Sequence, residues 1–566
     1  MKRIITAVFV AGFVPVWGPL AAQDEVSEKD IKTALASPDS TLRANTWKKL
    51  NAEKDTHYRY LVTILKTFAW YDRQAAAEAL SKAATDATLK KMVRDLKDNK
   101  DPAVRMGMAD ALAKMNDDKV YAHLYEALKD KDPVVRRMVV HYLRIHKKKE
   151  AVQALVDLFQ KEKDHVVRGF IVTSLEELTQ AYHGHDPIAW FTWWEQAKAD
   201  KSYELGKTDE QAKAKAEELG NKLKKRTTTT DSVTRLDAEE IGSSKLTSVP
   251  ILILPEYGVS KEVMKPFLTQ LSRTNKLFFI DLPPINDFKN LETVSDAKIP
   301  YYPIDKLVDA FEALRKQTEQ ERFAIMACGM NSWIAMRYVN LYPKSVSHLI
   351  LISPISSREA YANATKRMES EGQAKNDVEL WHLGMTRKFN SQTGESVHDE
   401  YHKEKKIPEP EGEDGALDRR NWSLFFKDER DSLIAMLYPK SHRPLGAVAI
   451  PDYRCFKEPP KARVPTIVIT GRNSMFSTVD DCKAIAKHYG GVCYVYESSS
   501  CMPFAEESEL FNKHMAVVAR EKGTKTKAKG KGKDGGSGQD AKDKGGEDEA
   551  PEAKADSKKG TKTKKK

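Results

Sequence analysis

Cysteine is scarce in this chain, which has 5 cysteines in 566 residues. Five cysteines cannot build the dense disulfide framework of a small secreted protein, and at least one of them must stay unpaired. Long apolar runs are also few, because no segment after the N-terminal stretch reaches the length of a membrane-spanning helix. The 40% of hydrophobic residues nevertheless supports several folded domains, which excludes a wholly disordered protein.

The folded part of the chain also lacks a large excess of positive charge, although the formal net charge of the whole chain is +11. Residues 521–566 hold 15 Lys and 9 acidic residues, a surplus of +6, and Lys2 and Arg3 add +2. A basic nucleic-acid-binding domain is therefore not indicated. The segment 521–566 has no aliphatic or aromatic residue larger than Ala, so we predict a disordered Lys-rich tail. Its last nine residues carry six Lys, which suits either weak contact with an anionic polymer or simple solubilisation.

The N-terminus has the pattern of an export signal. Lys2 and Arg3 precede an apolar stretch, and small residues follow up to Ala22. We predict a signal peptide over 1–22, with cleavage near Ala22 and export to the periplasm or the exterior of a bacterium. An uncleaved anchor is the alternative; after cleavage no membrane span is expected.

Residues 24–200 show helical periodicity with a recurring start signal. Asp101, Asp132 and Asp164 each open a segment that ends in Arg four residues later, at spacings of 31 and 32 residues, and further copies start at Asp39 and, more weakly, at Asp72. Asp is a good helix N-cap and Pro suits the next position. The pattern resembles HEAT-like repeats, an all-α solenoid. The resemblance implies a protein partner on a concave surface; packing on the next domain is the alternative, and both stay open.

Two further segments are found at the end of this array and directly after it. The aromatic cluster Trp190, Phe191, Trp193 and Trp194 is predicted to be a hydrophobic cap on the last repeat rather than a ligand platform. Residues 201–245, rich in Lys, Glu, Ala and Thr, are predicted to be a polar linker.

Residues 246–520 alternate short apolar runs with amphipathic stretches, which predicts a doubly wound, mostly parallel sheet. The segments Asp281–Pro284, Trp333–Tyr338 and Val464–Gly471, in this order, resemble the α/β-hydrolase fold. In that comparison, residues 355–445 correspond to a lid-type insertion.

The catalytic residues that this resemblance implies are missing. The family needs Ser, Cys or Asp on a tight strand-to-helix turn, together with an acid and a His. Alignment on Trp333 places Gly329 at the nucleophile, Ser474 at the acid and Cys501 at the base. The amide of Met330 is the remnant of an oxyanion hole.

Other residues around this turn offer weaker alternatives. Pro255 supplies no amide to an oxyanion hole, and Glu256 would oppose a developing negative charge. Cys328 and Ser332 are candidate relocated nucleophiles, but neither fits the expected turn. The resemblance brings Cys328 and Cys501 near each other, either as a disulfide or as two buried thiols. No cofactor or metal site is predicted, because the remaining cysteines lack ligand spacing.

These observations favour an exported pseudo-hydrolase: a non-catalytic scaffold that binds a protein through the repeats or a small ligand in the degenerate pocket. The alternative is an active esterase or peptidase-like hydrolase with relocated catalytic residues.

Overall fold

The structure is a computed structural model. It describes residues 26–37, 40–67, 69–206, 224–242, 246–257, 259–294, 298–375, 380, 430, 434, 449–457 and 459–520. The predicted signal peptide 1–22, the predicted tail 521–566 and most of the predicted insertion 355–445 lie outside the described residues.

Helices make up the first part of the chain. Within residues 26–206, the described helices α1 to α11 are Glu28–Ala36, Ser40–Trp47, Asp55–Thr67, Trp70–Leu80, Asp86–Asp98, Pro102–Lys114, Asp118–Ala127, Pro133–His146, Lys149–Phe159, His165–Thr179 and Pro187–Ala199.

The predicted start signals open every second helix. Asp101, Asp132 and Asp164 are the N-caps of α6, α8 and α10, and each side chain accepts a hydrogen bond from a backbone N–H of the first turn. Asp72 is different, because it lies inside α4, fully buried, and accepts hydrogen bonds from the side chains of Arg43 and Trp47. The weak repeat copy is therefore present, but its Asp is not a cap. Asp39 lies outside the described residues.

The Arg of the start signal joins neighbouring repeats. Arg105 forms two hydrogen bonds with the carboxylate of Asp130, at 2.6 and 2.8 Å. Arg136 does the same with Glu162, at 2.7 and 2.9 Å. The even-numbered helices α2 to α10 pack successively against one another and form one layer. The spacing found in the sequence is thus the period of this layer.

The aromatic cluster is a hydrophobic cap, as predicted. Trp190, Trp193 and Trp194 are buried, and α11 packs on α9, where the Trp194 Nε1 donates to the Gln153 side chain over 2.8 Å. Phe191 is 38% exposed.

An eight-stranded sheet forms the core of the second domain. The strands β1 to β10 are Lys224–Thr228, Leu236–Ile241, Ile251–Leu254, Leu277–Asp281, Thr293–Val294, Ile299–Pro300, Phe323–Cys328, Val346–Ile352, Thr466–Gly471 and Val492–Tyr496. The order in the sheet is β1-β2-β4-β3-β7-β8-β9-β10, while β5 and β6 form a separate hairpin. β1 and β2 are antiparallel additions to a parallel sheet. The predicted fold class, a helical solenoid followed by an α/β-hydrolase-like sheet, is confirmed.

The predicted linker 201–245 is wrong in its second half, because β1 and β2 fall within it. The sequence did not predict these strands because they contain charged residues, such as Glu239 and Glu240 in β2. Arg226 of β1 donates a hydrogen bond to the Glu240 carboxylate over 2.7 Å. Charge is common on strands at a sheet edge, where it discourages pairing with other chains.

Helices flank the sheet. The described helices α12 to α18 are Lys261–Leu268, Ile304–Gln317, Ser332–Leu341, Arg358–Lys375, Val479–His488, Pro503–Glu506 and Ser508–Arg520. In the part of the chain that the structure describes, no helix has both the length and the apolar composition that crossing a bilayer requires.

The repeat array packs directly on the second domain, a contact that the sequence left open. Helix α10 lies against α12, with the rings of Phe170 and Phe267 edge to face at 5.3 Å between centroids. A Cβ on Gly169 would lie 1.8 Å from the carbonyl oxygen of Pro266, so glycine is what allows this approach. Helix α12 thus continues the layer of α2 to α10.

Candidate functional site

The candidate site lies at the turn between β7 and α14. Strand β7 ends at Cys328, and Gly329 follows with a φ of +49°, a left-handed conformation that favours glycine. A short 3-10 turn, Gly329–Asn331, then leads into α14. The structure therefore has the strand-turn-helix geometry that the hydrolase resemblance implies, with Gly329 at its tip.

The carboxylate of Glu256 occupies the space above Gly329. Glu256 follows the end of β3, and a Cβ on Gly329 would lie 1.4 Å from its Oε2 atom. The Oε1 atom accepts the backbone N–H of Tyr257 over 2.8 Å and that of Met330 over 3.2 Å. In hydrolases of this fold, an oxyanion hole is made by the amide after the nucleophile and an amide from the loop after the third strand. Both corresponding amides here donate to the protein's own carboxylate.

Side chains of the turn hold it to its neighbours. Asn331 donates to the carbonyl of Pro255 over 2.5 Å and accepts the Tyr302 hydroxyl over 2.7 Å. Ser332 is buried and donates its hydroxyl to the carbonyl of Gly329 over 2.6 Å. This hydroxyl therefore closes the turn rather than facing a substrate.

The structure brings the predicted acid and base positions together. The Oγ atom of Ser474 lies 3.3 Å from the Sγ atom of Cys501, and Ser353 donates its hydroxyl to the Cys501 carbonyl over 3.2 Å. The end of β9 approaches the same loop so closely that a Cβ on Gly471 would lie 2.0 Å from the carbonyl oxygen of Ser500.

Cys328 and Cys501 are buried free thiols in the structure, so no disulfide joins them. Burial raises the pKa of each thiol, and the negative charge of Glu256 raises both pKa values further. Both thiols therefore stay protonated at neutral pH, which makes them poor nucleophiles.

The three histidines in the described part of the second domain have neighbours other than the residues of the turn. His348 lies early in β8, in register with Ala324 at the far end of β7 from the turn. His488 packs against Phe456, and the His514 ring is hydrogen-bonded to the Tyr496 hydroxyl over 2.7 Å. Within the described ranges, no group of three or more His, Cys, Asp and Glu side chains is arranged to hold a metal ion.

A cavity of about 850 Å³ opens beside the turn, on the other side of Tyr302. Charged side chains line much of it, including the ion pair of Arg337 with Asp305 at 2.7 Å. It is a polar groove and does not contain Glu256 or Gly329.

Two features of this site were missed by the sequence reasoning. Glu256 was interpreted only as a residue that opposes negative charge, whereas its own carboxylate takes the amides. The support of the turn by Asn331 and Tyr302 was not foreseen either. The signal for the first was a Glu directly after Pro255, at the end of an apolar strand.

A family model matches the helical part of this architecture. Residues 58–132 and 95–176 match the family model described as HEAT repeats. The N-terminal region therefore contains HEAT repeats within residues 58–176. None of the curated proteins matches the sequence.

Solved structures of α/β-hydrolase-fold enzymes are similar to the part of the chain that follows the HEAT repeats. The carboxylesterase CesB from Bacillus subtilis is 11% identical, with 54% of this chain and 95% of that chain covered and a TM-score of 0.34. The proline iminopeptidase from Mycobacterium smegmatis is 14% identical, with coverage of 52% and 97% and a TM-score of 0.37. The esterase from Exiguobacterium antarcticum is 13% identical, with coverage of 52% and 98% and a TM-score of 0.33.

Proposed function

We propose that this protein is an exported, non-catalytic scaffold in which HEAT repeats and a degenerate hydrolase domain act as one binding unit. The observation that carries the proposal is the arrangement at the turn. Gly329 has no atom able to attack a carbonyl, and the Glu256 carboxylate fills the place of a nucleophile's side chain. Acyl transfer of the usual kind needs a nucleophile, a base and an open oxyanion hole.

The two amides also argue against acyl transfer. They donate to Oε1 of Glu256, so a substrate carbonyl would have to displace a carboxylate already seated there. A negative charge at this point opposes the oxyanion that an acyl-transfer transition state develops, whereas effective sites supply donors alone. We therefore expect this site to hold a bound group rather than to turn over a substrate.

The absence of turnover is tested with a panel of p-nitrophenyl esters and aminoacyl p-nitroanilides, together with a serine-directed fluorophosphonate and a thiol-directed iodoacetamide probe. We expect hydrolysis no faster than with heat-denatured protein, and no fluorophosphonate label. The variants Cys328→Ala and Ser332→Ala are the matched controls. Turnover that either substitution abolishes would establish the alternative, an active hydrolase with relocated residues.

Binding and export are tested separately on the full chain. We expect N-terminal sequencing of protein from the exported fraction to begin at Gln23, and a chain retained uncut in the cell would contradict export. Cross-linking in that fraction should then capture a protein on the HEAT repeats. If the chain is recovered without any cross-linked protein, the result contradicts protein binding by the HEAT repeats. The form of the proposal in which the degenerate pocket binds a small ligand would then remain.

A further inference from the structure

Arg430, a described residue of the predicted insertion, contacts the HEAT repeats. Its Nη1 atom donates to Oδ2 of Asp132 over 3.0 Å, although 298 residues separate the two. Asp132 is the N-cap of α8, and the two side chains are only 21% and 19% exposed. Ile434 lies four residues after Arg430, both residues have a helical backbone, and Ile434 is fully buried. The insertion therefore reaches the HEAT repeats at the start of α8.

The helix α8 is buried on all of its sides. From Val134 to Arg144 every residue except Arg136 is buried, and eleven residues make three helical turns. The main described neighbours of α8 are α6 and α10 in its own layer and α7 and α9 in the other layer. In an array of two helical layers, these neighbours leave one face of the helix open. Because this face is buried as well, another part of the chain covers it.

The charges of α8 and of the segment around Arg430 are complementary. The helix contains three arginines, two histidines and no acidic residue. In the sequence, three acidic residues flank Arg430, namely Asp428, Glu429 and Asp431. Arg137 of α8 is only 6% exposed, and a charge buried to this degree needs partners that stabilise it. Opposite charges on two surfaces select which surfaces meet.

We propose that the insertion docks in cis on the open face of α8 through segment 428–434, and that it occupies there the surface that a protein partner would use. The docking itself stands on the contact of Arg430 with Asp132 and on the burial of α8. Its consequence rests on the proposed function, because only a scaffold with an external partner is affected by such occupancy. The partner that fits this surface is an acidic segment with an apolar residue, which competes with segment 428–434.

The first experiment tests the docking by a cross-link within the full chain. Arg430→Lys places an amine opposite the Asp132 carboxylate, and a water-soluble carbodiimide should join the two as an amide while it takes up the lost water as a urea. We expect peptide mass spectrometry to find this cross-link in the monomer band. Adding Asp132→Asn, which keeps an oxygen for the helix cap, should lower the yield about tenfold or more, because the reaction depends on proximity.

The ion pair of Lys148 with Asp118, at 3.1 Å, is the internal standard for this reagent. If the standard is cross-linked and residue 430 is not joined to Asp132, the docking is overturned. A cross-link confined to a dimer band would show that a second copy supplies the segment, which overturns docking in cis.

The second experiment tests whether the segment covers α8. Arg430→Glu together with Ile434→Asp should release the segment, and thermal unfolding checks that this double variant folds. His141 of α8 is fully buried, so diethyl pyrocarbonate should modify it in the double variant and not in the unchanged chain. His146, which stacks on Tyr121 of α7, should react equally in both.

Equal protection of His141 in the two folded chains overturns the coverage of α8, and the cross-link decides the docking even if the double variant unfolds. Neither experiment uses a partner or export, so a negative result would leave the scaffold proposal standing. Ester turnover would instead overturn the scaffold and leave the docking unaffected.

Discussion

The buried carboxyl group of Glu176, at the junction between the HEAT repeats and the second domain, should make the stability of the protein depend on pH. Glu176 lies on α10 and is 6% exposed, and its Oε2 atom has no hydrogen-bond partner among the described residues. Burial raises the pKa of this group from 4.5 to about 7. The charge of Lys265 opposes this rise, whereas the carboxylates of Glu239 and Glu262 add to it.

The direction of the effect follows from proton linkage. The unfolded chain loses the proton of Glu176 near pH 4.5, but the folded protein keeps it to about pH 7. The free energy of unfolding therefore falls as the pH rises through this window, because the folded state binds the extra proton. The difference between the two pKa values corresponds to roughly 3 kcal/mol in the free energy of unfolding. This stability is fully lost only above pH 7.

Urea unfolding of the full chain and of Glu176→Gln, followed by tryptophan fluorescence between pH 4 and pH 9, measures this effect. Gln is neutral and similar in shape, so the variant should gain stability relative to the unchanged chain from pH 4.5 to pH 7, up to about 3 kcal/mol. Glu126→Gln is the control, because Glu126 is an exposed carboxyl on α7 with a side chain 73% accessible. A stability difference for Glu176→Gln that stays constant from pH 4 to pH 8 would refute the reasoning.

Three further substitutions test the packing and the turn by equilibrium unfolding. Gly169→Ala should cost about 1 to 3 kcal/mol, because the new Cβ meets a backbone carbonyl of α12 that cannot rotate away; an unchanged midpoint would contradict the close junction. Arg105→Ala should cost about 3 to 5 kcal/mol, because it removes the cation that pairs with the buried carboxylate of Asp130, which then keeps only the backbone N–H of Asp132; a loss below 1 kcal/mol would contradict this. Gly329→Ala should destabilise by about 1 to 3 kcal/mol, and Glu256→Gly should relieve most of that loss in the double variant; independent effects would show that the two residues do not share the same space.

Much of the fold could be predicted because its signals are local. The caps Asp101, Asp132 and Asp164 define helix starts by themselves. Strands buried on both faces are continuous apolar runs, which is why the sequence predicts β3, β4 and β7 to β9 as parts of a parallel sheet. The edge strand β1 and its neighbour β2 were missed because charged residues interrupt the apolar run there.

The candidate site was only partly predictable, since its decisive contact joins distant segments. Gly329 was identified because the turn has a local motif, and its φ of +49° agrees with that assignment. The contact with Glu256 spans more than seventy residues, and nothing in the sequence says which way a carboxylate beside a proline will turn. The fold resemblance assigns Ser474 and Cys501 separately, to the acid and base positions, and the structure adds the contact of 3.3 Å between their side chains.

One connector links the junction to the turn. The loop after β3 carries Glu256 at its start and Ser260 at its end, where the Ser260 side chain caps α12 by accepting the backbone N–H of Glu262. Five residues later, Lys265 of the same helix forms an ion pair with Glu239. Lys265 also interacts electrostatically with Glu176 on the HEAT repeats. The helix Lys261–Leu268 therefore contacts the HEAT repeats through α10 and directly follows the loop that carries Glu256.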